Sequence, residues 1–363
     1  MSAHPLRGPG FGSYRPEDVA WLLTDLSDVE LEAPTEEREE AIQSGAAHYA
    51  ESLPIEYQPS PEYQMLFHAA LEESAARLAQ AVAVITERIL EERGPDAVLV
   101  SLARAGTPVG VLARRWAAHA HGLDLPHYAV SIVRGRGIDT VAMDHLARHH
   151  DPRNVMFVDG WTGKGAITRE LTEAVAALDR GFSPELAVLA DPGRCVRIYG
   201  TREDFLIPSA CLNSTVSGLV SRTVLNRDLI GPADFHGAKF YKDLAYSDVS
   251  NLFLDTVCAY FPSVDPSDRP EAEEPDWSGW EAVRRISREY GIGDVNLVKP
   301  GVGETTRVLL RRVPWRILVR SDARDDLAHV RMLAAERDVP VEEADGDLPY
   351  ACVGLIKPQG AGS

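Results

Sequence analysis

The sequence has only four cysteines, and they form no recognisable metal or disulfide pattern. Cys195, Cys211, Cys258 and Cys352 are scattered, without a CxxC pair or a histidine pairing. We therefore expect reduced thiols, a cytoplasmic location and no zinc site. No apolar run approaches the ~18 residues of a membrane helix, and the N-terminus lacks the apolar core of a signal peptide. These absences predict a protein with no membrane partner.

Positive charge is also scarce, because 37 Lys and Arg stand against 55 Asp and Glu, for a net charge of −18. A protein that simply coats nucleic acid would be basic, so binding to RNA would need a local basic patch. Beyond position 276 the chain has 13 basic and 13 acidic residues, so the whole deficit lies in residues 1–276. The C-terminal part is therefore the better candidate for contact with RNA.

The chain divides into four parts by composition and periodicity. Residues 1–62 are acidic and poorly periodic and predict an N-terminal arm or hood. Residues 63–261 alternate short apolar strands with helices, which predicts an α/β domain with a largely parallel sheet flanked by helices on both faces. The predicted strands are 97–101, 127–133, 154–159 and 185–191, and the predicted helices are 63–93, 108–120 and 166–179.

A segment rich in proline and acids, residues 262–278, predicts a linker to a second, smaller domain. Residues 279–363 again alternate apolar strands with helices, near 304–312 and 324–337, and predict a small α/β sandwich. Its strands are expected within DVNLVK, WRILVR and YACVGLIK.

Three strands of the large domain are followed by loops suited to an anion. The loops are SLARAGTPVG (101–110), VRGRGID (133–139) and the end of VMFVDGWTGKGAIT (155–168). Carboxyl ends of parallel strands share one edge, and a glycine-rich turn before a helix points N–H groups at phosphate. The spacing fits neither GxxxxGK[ST] nor GxGxxG, so P-loop and nicotinamide enzymes are excluded.

The same stretches resemble known proteins. VMFVDGWTGKGAIT is similar to the diphosphate-sugar loop of type I phosphoribosyltransferases, and SLARAGTPVG is similar to their pyrophosphate loop. GSYRPEDVAWLL, SGAAHYAESLPIEYQPSPEY, SIVRGRGID and IPSACLNSTVSGLVSRTVLN resemble the phosphoribosyltransferase-like proteins of tellurite-resistance and stress gene clusters, also labelled StiP-type cysteine proteases. The segments DVNLVKPGVGETTRVLLRRVPWRILVR and LPYACVGLIKP resemble a Pelota-like RNA-binding domain.

This resemblance implies a type I phosphoribosyltransferase-like sheet with a Pelota-like sandwich after it. It implies transfer of a phosphoribosyl group from phosphoribosyl pyrophosphate, with Mg²⁺, to an unidentified base-like or nucleoside-like acceptor during stress or tellurite resistance. Asp159 would lie near the ribose hydroxyls, directly or through the metal. Arg104 with Ala105 and Gly106 would hold pyrophosphate, and Arg134 with Arg136 would close over it.

The remaining substrate contacts implied by the resemblance come from two segments. The 5′-phosphate would be held by Thr162, Gly163, Lys164, Gly165 and Thr168. The polar stretch CLNSTVSGLVSRT would read the base or acceptor, with Asn213 and Ser214 among its contacts. In the C-terminal domain a basic edge would meet RNA phosphates through Lys299, Arg311, Arg312, Arg316 and Arg320.

Two other functions remain open. A cysteine protease would need a thiolate activated by a nearby histidine, with Cys195 and Cys211 as candidates, but the sequence does not pair either with a particular histidine. A non-catalytic nucleotide sensor would keep the pocket without the reaction. Gly160 favours the sensor, because the enzymes that the loop resembles place a second acid there.

Overall fold

The computed structural model describes residues 4–33, 50–56, 58–323, 327–344 and 347–357. Its largest element is a seven-stranded sheet with the strand order β1-β6-β5-β8-β9-β10, in which β7 also pairs with β6. The strands of this sheet are β1 (Ala20–Leu22), β5 (Val98–Ala103), β6 (His127–Val133), β7 (Gly137–Ile138), β8 (Val155–Trp161), β9 (Leu186–Ala190) and β10 (Ile198–Thr201). Short pairs are formed by β2 (Thr24–Asp25) with β11 (Gly237–Ala238) and by β3 (Glu32–Ala33) with β4 (Leu53–Pro54).

All neighbours along the main sheet are parallel, and only β7 runs antiparallel to its partner β6. This confirms the predicted parallel α/β sheet. From β5 the chain passes to β6 on one side, and then returns to β8 on the other side of β5. The topology therefore reverses between β5 and β8, and ligands of such sheets bind beyond the carboxyl ends of the strands at that point.

The helices cover both faces of the sheet, which explains the continuous apolar runs in its strands. Alternate side chains of β8 separate accordingly: Met156 and Val158 join one core cluster, and Val155 and Phe157 join the other. Helices α1, α2 and α5 contribute to the first cluster, and α3 and α4 to the second. Their bounds are α1 (Pro61–Arg93), α2 (Thr107–His121), α3 (Thr140–His149), α4 (Ala166–Leu178) and α5 (Ser250–Cys258).

The C-terminal domain is built on a four-stranded mixed sheet with the order β12-β15-β13-β14. Helices α7 and α8 belong to a core cluster continuous with that of the large domain, whereas α6 packs in a separate cluster with Val298, Leu318 and Leu355. The elements are α6 (Ser278–Glu289), β12 (Val298–Pro300), α7 (Val302–Arg311), β13 (Pro314–Val319), α8 (Ala328–Glu336), β14 (Val341–Glu343) and β15 (Cys352–Ile356).

The segment predicted as a linker carries no long helix or strand before α6, but it is attached to the large domain. Arg88 Nη2 donates to Pro270 O at 2.8 Å, and Trp277 N–H donates to Arg194 O at 3.0 Å. Helix α6 was not predicted from the sequence, in which the first helix of the C-terminal domain was expected near 304–312. In the described part of the chain, no helix is long and apolar enough to cross a membrane.

Candidate functional site

A cleft lies where the carboxyl ends of β5, β6 and β8 meet the C-terminal domain. It has two adjoining cavities, which we call the chamber (240 Å³) and the vestibule (470 Å³). The two share lining residues from both domains, including Arg104 and Asp159 from the large domain and Glu304 and Arg307 from α7. The three loops predicted to meet at one edge of the sheet therefore do meet there.

The chamber is mainly apolar. Its lining includes Pro108, Val109, Leu189, Phe205, Leu212, Val216 and Phe253. Besides the charged residues that it shares with the vestibule, its wall carries the polar Ser209, Asn213 and Ser217, which come from one segment. Such a space suits an apolar group held by a few polar contacts.

Asp159 lies on the wall shared by the chamber and the vestibule. The residue is 9% exposed, and Gly160 N–H donates to its Oδ1 at 2.8 Å. Burial raises the pKa of the Asp159 carboxyl to about 7, and the Gly160 hydrogen bond opposes that rise only in part. Asp159 can therefore exchange a proton near neutral pH.

Two glycines in the loop after β8 are explained by close packing and by a left-handed backbone conformation. A Cβ on Gly163 would lie 2.1 Å from Trp161 Cη2, and Gly165 has φ +66° immediately before α4. The Thr162 N–H donates to Ala190 O at 3.1 Å, which anchors the loop to β9. Gly106 is explained in the same way, because its Cβ would lie 2.3 Å from Val158 O.

Basic side chains from both domains line the vestibule. Lys164 Nζ donates to Val295 O at 3.0 Å and more weakly to Val298 O at 3.4 Å. Burial lowers the pKa of Lys164 to about 8, with further lowering by Lys299 and Arg134. Lys299, a predicted RNA contact, therefore lies at this cleft, where its Nζ is 4.0 Å from Glu304 Oε2.

The structure brings most of the predicted substrate residues to the cleft. The residues that line it are Arg104, Ala105, Arg134, Asp159, Thr162, Gly163, Lys164 and Asn213. Gly165 and Thr168 lie in the turn and first helical turn of α4, beside the lining residues Ala166 and Ile167.

Arg136 and Ser214 are engaged elsewhere. Arg136 Nη2 lies 3.5 Å from Glu51 Oε1, and Arg136 is absent from the described lining of the cleft. Ser214 is fully buried, and both its N–H and its hydroxyl donate to Glu56 Oε1, at 2.9 and 2.7 Å. The N-terminal arm thus supplies carboxylates that local sequence around positions 136 and 214 does not reveal.

The predicted basic edge of the C-terminal domain is partly neutralised. Arg316 pairs with Glu342 on the neighbouring strand, and Arg320 Nε lies 2.5 Å from Asp322 Oδ1. Arg312 is exposed. The side chain of Arg311 lies outside the described residues.

Sequence reasoning missed several cleft residues that come from distant segments. Asn296, Glu304 and Arg307 come from the C-terminal domain, whereas Arg222, which also lines the vestibule, belongs to the polar stretch that was predicted to read the base or acceptor. Arg307 Nη2 donates to Asn213 Oδ1 at 3.3 Å, so the two domains are bonded across the chamber. The only sequence signal was the spacing of Glu304 and Arg307 on one helical face.

A buried carboxyl of the large domain holds the C-terminal domain over the cleft. Asp204 Oδ1 accepts from Val302 N–H at 2.9 Å, and Oδ2 accepts from Ala351 N–H at 2.8 Å. Burial raises the pKa of Asp204 to about 6. The Tyr350 hydroxyl also donates to Gly163 O, so the small domain is attached directly to the loop after β8.

None of the four cysteines forms a disulfide bond, and they differ in position. Cys195 is buried beside Asp191, and burial followed by that carboxylate raises the pKa of its thiol. Burial likewise raises the pKa of Cys352 in the C-terminal core and of the half-buried Cys258 on α5. Cys211 is 1% exposed and lies between the chamber-lining residues Ala210 and Leu212.

Outside the described lining of the cleft, a serine and a histidine lie at hydrogen-bond distance, as they would in a catalytic pair. Ser101 Oγ lies 2.8 Å from His127 Nε2, whose Nδ1 lies 2.7 Å from Asp18 O. Both side chains are buried, and a Cβ on Gly110 would lie 2.2 Å from either one. Burial lowers the pKa of His127 to about 4, so the ring is neutral and serves to join β5, β6 and the N-terminal segment.

The fold and cleft define a two-domain α/β protein whose site at the carboxyl edge of a parallel sheet is completed by a small C-terminal domain. The chain belongs to the family described as tellurite-like stress resistance cysteine protease StiP, whose model matches residues 12–258. It is 33% identical over 370 residues to the Cysteine protease StiP of Acinetobacter baylyi, covering 97% of this chain and 95% of the relative. Residues 277–358 match the model of the Pelota RNA-binding domain.

These matches confirm the predicted stress-resistance family and the RNA-binding domain. The expected transfer of a phosphoribosyl group is wrong, because the family and the relative are both named as a cysteine protease. The predicted classification as a glycosyltransferase is therefore not supported either. The structure offers a physical reason: Asp159 is a single buried carboxyl with a pKa near 7, followed by Gly160, rather than an ionised acidic pair.

Proposed function

We propose that the protein is a cysteine peptidase acting in stress resistance, with Cys211 as its nucleophile. The position of the Cys211 segment carries the proposal, because Ala210, Leu212 and Asn213 line the chamber immediately around this residue. The names of the family and of the relative support the class of reaction. The apolar chamber suits the side chain of a peptide.

The other cysteines are less suited to attack a substrate. Cys195 Sγ donates to Gly193 O at 3.2 Å, and Cys352 lies within the C-terminal core. Cys258 is half-buried beside Arg115, outside the described lining of the cleft. Burial raises the thiol pKa in each of the three. Unlike Cys211, none of them has a chain neighbour in the described lining of the chamber.

We assign proton acceptance to Asp159, which lines the same chamber and has a pKa near 7. Its carboxylate would take the thiol proton while sulfur attacks the peptide carbonyl carbon. The C–N bond then breaks, the leaving amine receives the proton, and water hydrolyses the thioester. Among the described residues lining the cleft there is no histidine, which distinguishes this site from a cysteine–histidine pair.

Hydrolysis of fluorescein-labelled casein by the full chain tests this function. Cys211→Ala should abolish turnover, since the nucleophile is lost. Cys258→Ala is the matched control, because Cys258 is the more exposed thiol but lies away from the chamber. Retained activity in Cys211→Ala, or loss only in Cys258→Ala, would remove Cys211 from the mechanism.

We also propose that the C-terminal domain binds RNA, as its match to the Pelota model supports. The exposed Arg312 would contribute most, since Lys299, Arg316 and Arg320 already lie beside carboxylates. Affinity for a single-stranded RNA should fall steeply between 50 and 200 mM salt, on the order of 10²-fold or more for several phosphate contacts. Salt-insensitive binding would contradict the proposal.

Three finer predictions remain proposals. For the fold alone, we propose that the large domain is type I phosphoribosyltransferase-like. The parallel sheet, with the short antiparallel strand β7 beside β6, supports this. A cytoplasmic location is supported by the absence of a disulfide bond among the four cysteines. Mg²⁺ at Asp159 would need oxygens from a ligand, because the described residues contain no cluster of three or more His, Cys, Asp or Glu side chains able to hold a metal.

A further inference from the structure

We propose that the chamber binds one large apolar side chain of the peptide substrate, above all an aromatic one, on the residue that carries the attacked carbonyl. Gly160 determines this specificity, because it leaves the necessary space open. The inference rests on the proposed peptidase function and deepens it by naming the class of substrate that the same site takes.

The charges of the chamber all lie on the side that it shares with the vestibule. Four charged residues line both cavities, namely Arg104, Asp159, Glu304 and Arg307. Among the described residues that line the chamber alone, none is charged, and the polar ones are Ser209, Asn213 and Ser217. A peptide backbone can therefore meet polar groups at the boundary, while a side chain that continues inward meets a mainly apolar wall.

This wall selects against a charged side chain. Leu189, Leu212, Val216 and Phe253 line the chamber and belong to the apolar core cluster of the large domain. An ionised side chain that entered the chamber would lose its water without gaining a partner of opposite charge there. An aromatic or branched apolar side chain would instead remove apolar surface from water, which is favourable.

The size of the chamber favours a large side chain over a small one. Its volume is 240 Å³. A protein cavity of about 150 Å³ with an apolar lining can hold a benzene molecule, so the chamber has space for the ring of a phenylalanine. An alanine side chain would leave most of the chamber unfilled and would lose the dispersion contacts that a ring makes with the wall.

The chamber also lies beside both groups of the proposed reaction. Cys211 stands between Ala210 and Leu212, which line the chamber, and Asp159 lies at its boundary with the vestibule. The attacked carbonyl must come within reach of the sulfur and of this carboxyl. The substrate side chain that enters the chamber is therefore the one next to that carbonyl, on the acyl side of the scissile bond.

Gly160 keeps the chamber open. It belongs to β8, where residues two apart share a face, and Val158 on that face packs in the same core cluster as the chamber residue Val109. A Cβ on Gly160 would lie 3.4 Å from Ala105 O and 4.0 Å from Val109 Cγ2, which are ordinary contact distances. A side chain at position 160 can therefore be accommodated, and it would fill space that the substrate needs.

Labelling of the full chain by peptidyl chloromethyl ketones tests the inference. The reagents differ only in the residue next to the ketone, which is Phe, Leu, Ala or Lys, and the rate of attachment at Cys211 is measured by mass spectrometry relative to the reaction with glutathione. We expect the Phe reagent to react at least about tenfold faster than the Ala and Lys reagents, since even one missing methylene in an apolar pocket costs about tenfold or more.

Two variants from different elements narrow the chamber. Gly160→Val and Val109→Phe should each slow the Phe reagent by about tenfold and leave the Ala reagent nearly unchanged. The backbone N–H that donates to Asp159 is kept in Gly160→Val. Gly293→Val is the matched control, because a Cβ there meets nothing within 4 Å, and it should keep the preference for Phe.

Binding without reaction separates this inference from the proposed function. Ligand-observed NMR with the Cys211→Ala protein compares N-acetyl-L-phenylalaninamide with N-acetyl-L-lysinamide, and we expect only the first to bind. If it binds and no reagent labels Cys211 in the unmodified protein, the pocket stands and the peptidase function fails. Equal labelling of Cys211 by the Phe, Ala and Lys reagents overturns the pocket and leaves the peptidase function intact, and this comparison needs no chamber variant.

Discussion

Replacing Asp204 tests whether a buried carboxyl holds the small domain over the cleft. In Asp204→Ala, the N–H groups of Val302 and Ala351 lose acceptors that now lie at 2.9 and 2.8 Å. A buried donor without a partner costs about 1–3 kcal/mol, so the variant should lose about 2–6 kcal/mol of unfolding free energy. Asp204→Asn keeps one acceptor oxygen and should lose about half as much.

The contribution of Asp204 to the free energy of unfolding should depend on pH in a defined direction. Burial raises the pKa of Asp204 from 3.8 to about 6 in the folded protein. Between these values the folded state binds more protons than the unfolded state, so this carboxyl's contribution to stability is greatest below pH 3.8 and is lost as the pH rises through 6. The full loss amounts to about 3 kcal/mol, at 1.36 kcal/mol for each pKa unit.

Guanidinium unfolding followed by tryptophan fluorescence measures both effects, since Trp161 and Trp277 lie near the domain contact. The difference in unfolding free energy between the unmodified protein and Asp204→Asn should shrink as the pH rises from 4 to 7. A difference that is constant with pH, or that grows, would refute the buried-carboxyl reasoning. An Asp204→Ala variant as stable as the unmodified protein would refute the role of the two hydrogen bonds.

Three further predictions concern the cleft. Gly163→Ala places a Cβ against Trp161 and should cost about 1–3 kcal/mol in a thermal melt, whereas Gly293→Ala, which meets open space, should cost little. Casein hydrolysis should rise through pH 7 as Asp159 ionises, and Asp159→Asn should remove that rise; an unchanged profile would exclude Asp159 as the base. Tyr350→Phe leaves the Gly163 carbonyl without its donor and should lower stability by about 1–3 kcal/mol in the same melt, which no change would contradict.

The sequence predicted the large sheet well because its strands are apolar on both faces. Runs such as VLVSLA and VMFV are long enough to be buried strands, and their alternation with helices indicates parallel pairing. Parallel strands end at one edge, so the meeting of the Arg104, Arg134 and Asp159 loops followed from topology alone. The position of the cleft could therefore be predicted from the sequence, but the reaction could not.

What the sequence left hidden depends on single long-range contacts. Asp204 and Tyr350 fix the domain arrangement, yet neither stands in a motif that marks it. Glu51 and Glu56 of the N-terminal arm contact Arg136 and Ser214, and no local sequence signal marks these contacts. Helix α6 was missed because its amphipathic sequence directly follows a proline-rich, acidic stretch typical of linkers.

The most direct test of the central claim is to map where a peptidyl chloromethyl ketone attaches to the native full-length protein by mass spectrometry. We expect attachment at Cys211, through the chamber, to be faster than at the more exposed Cys258. Attachment at Cys258 or Cys195 with Cys211 unmodified would contradict it.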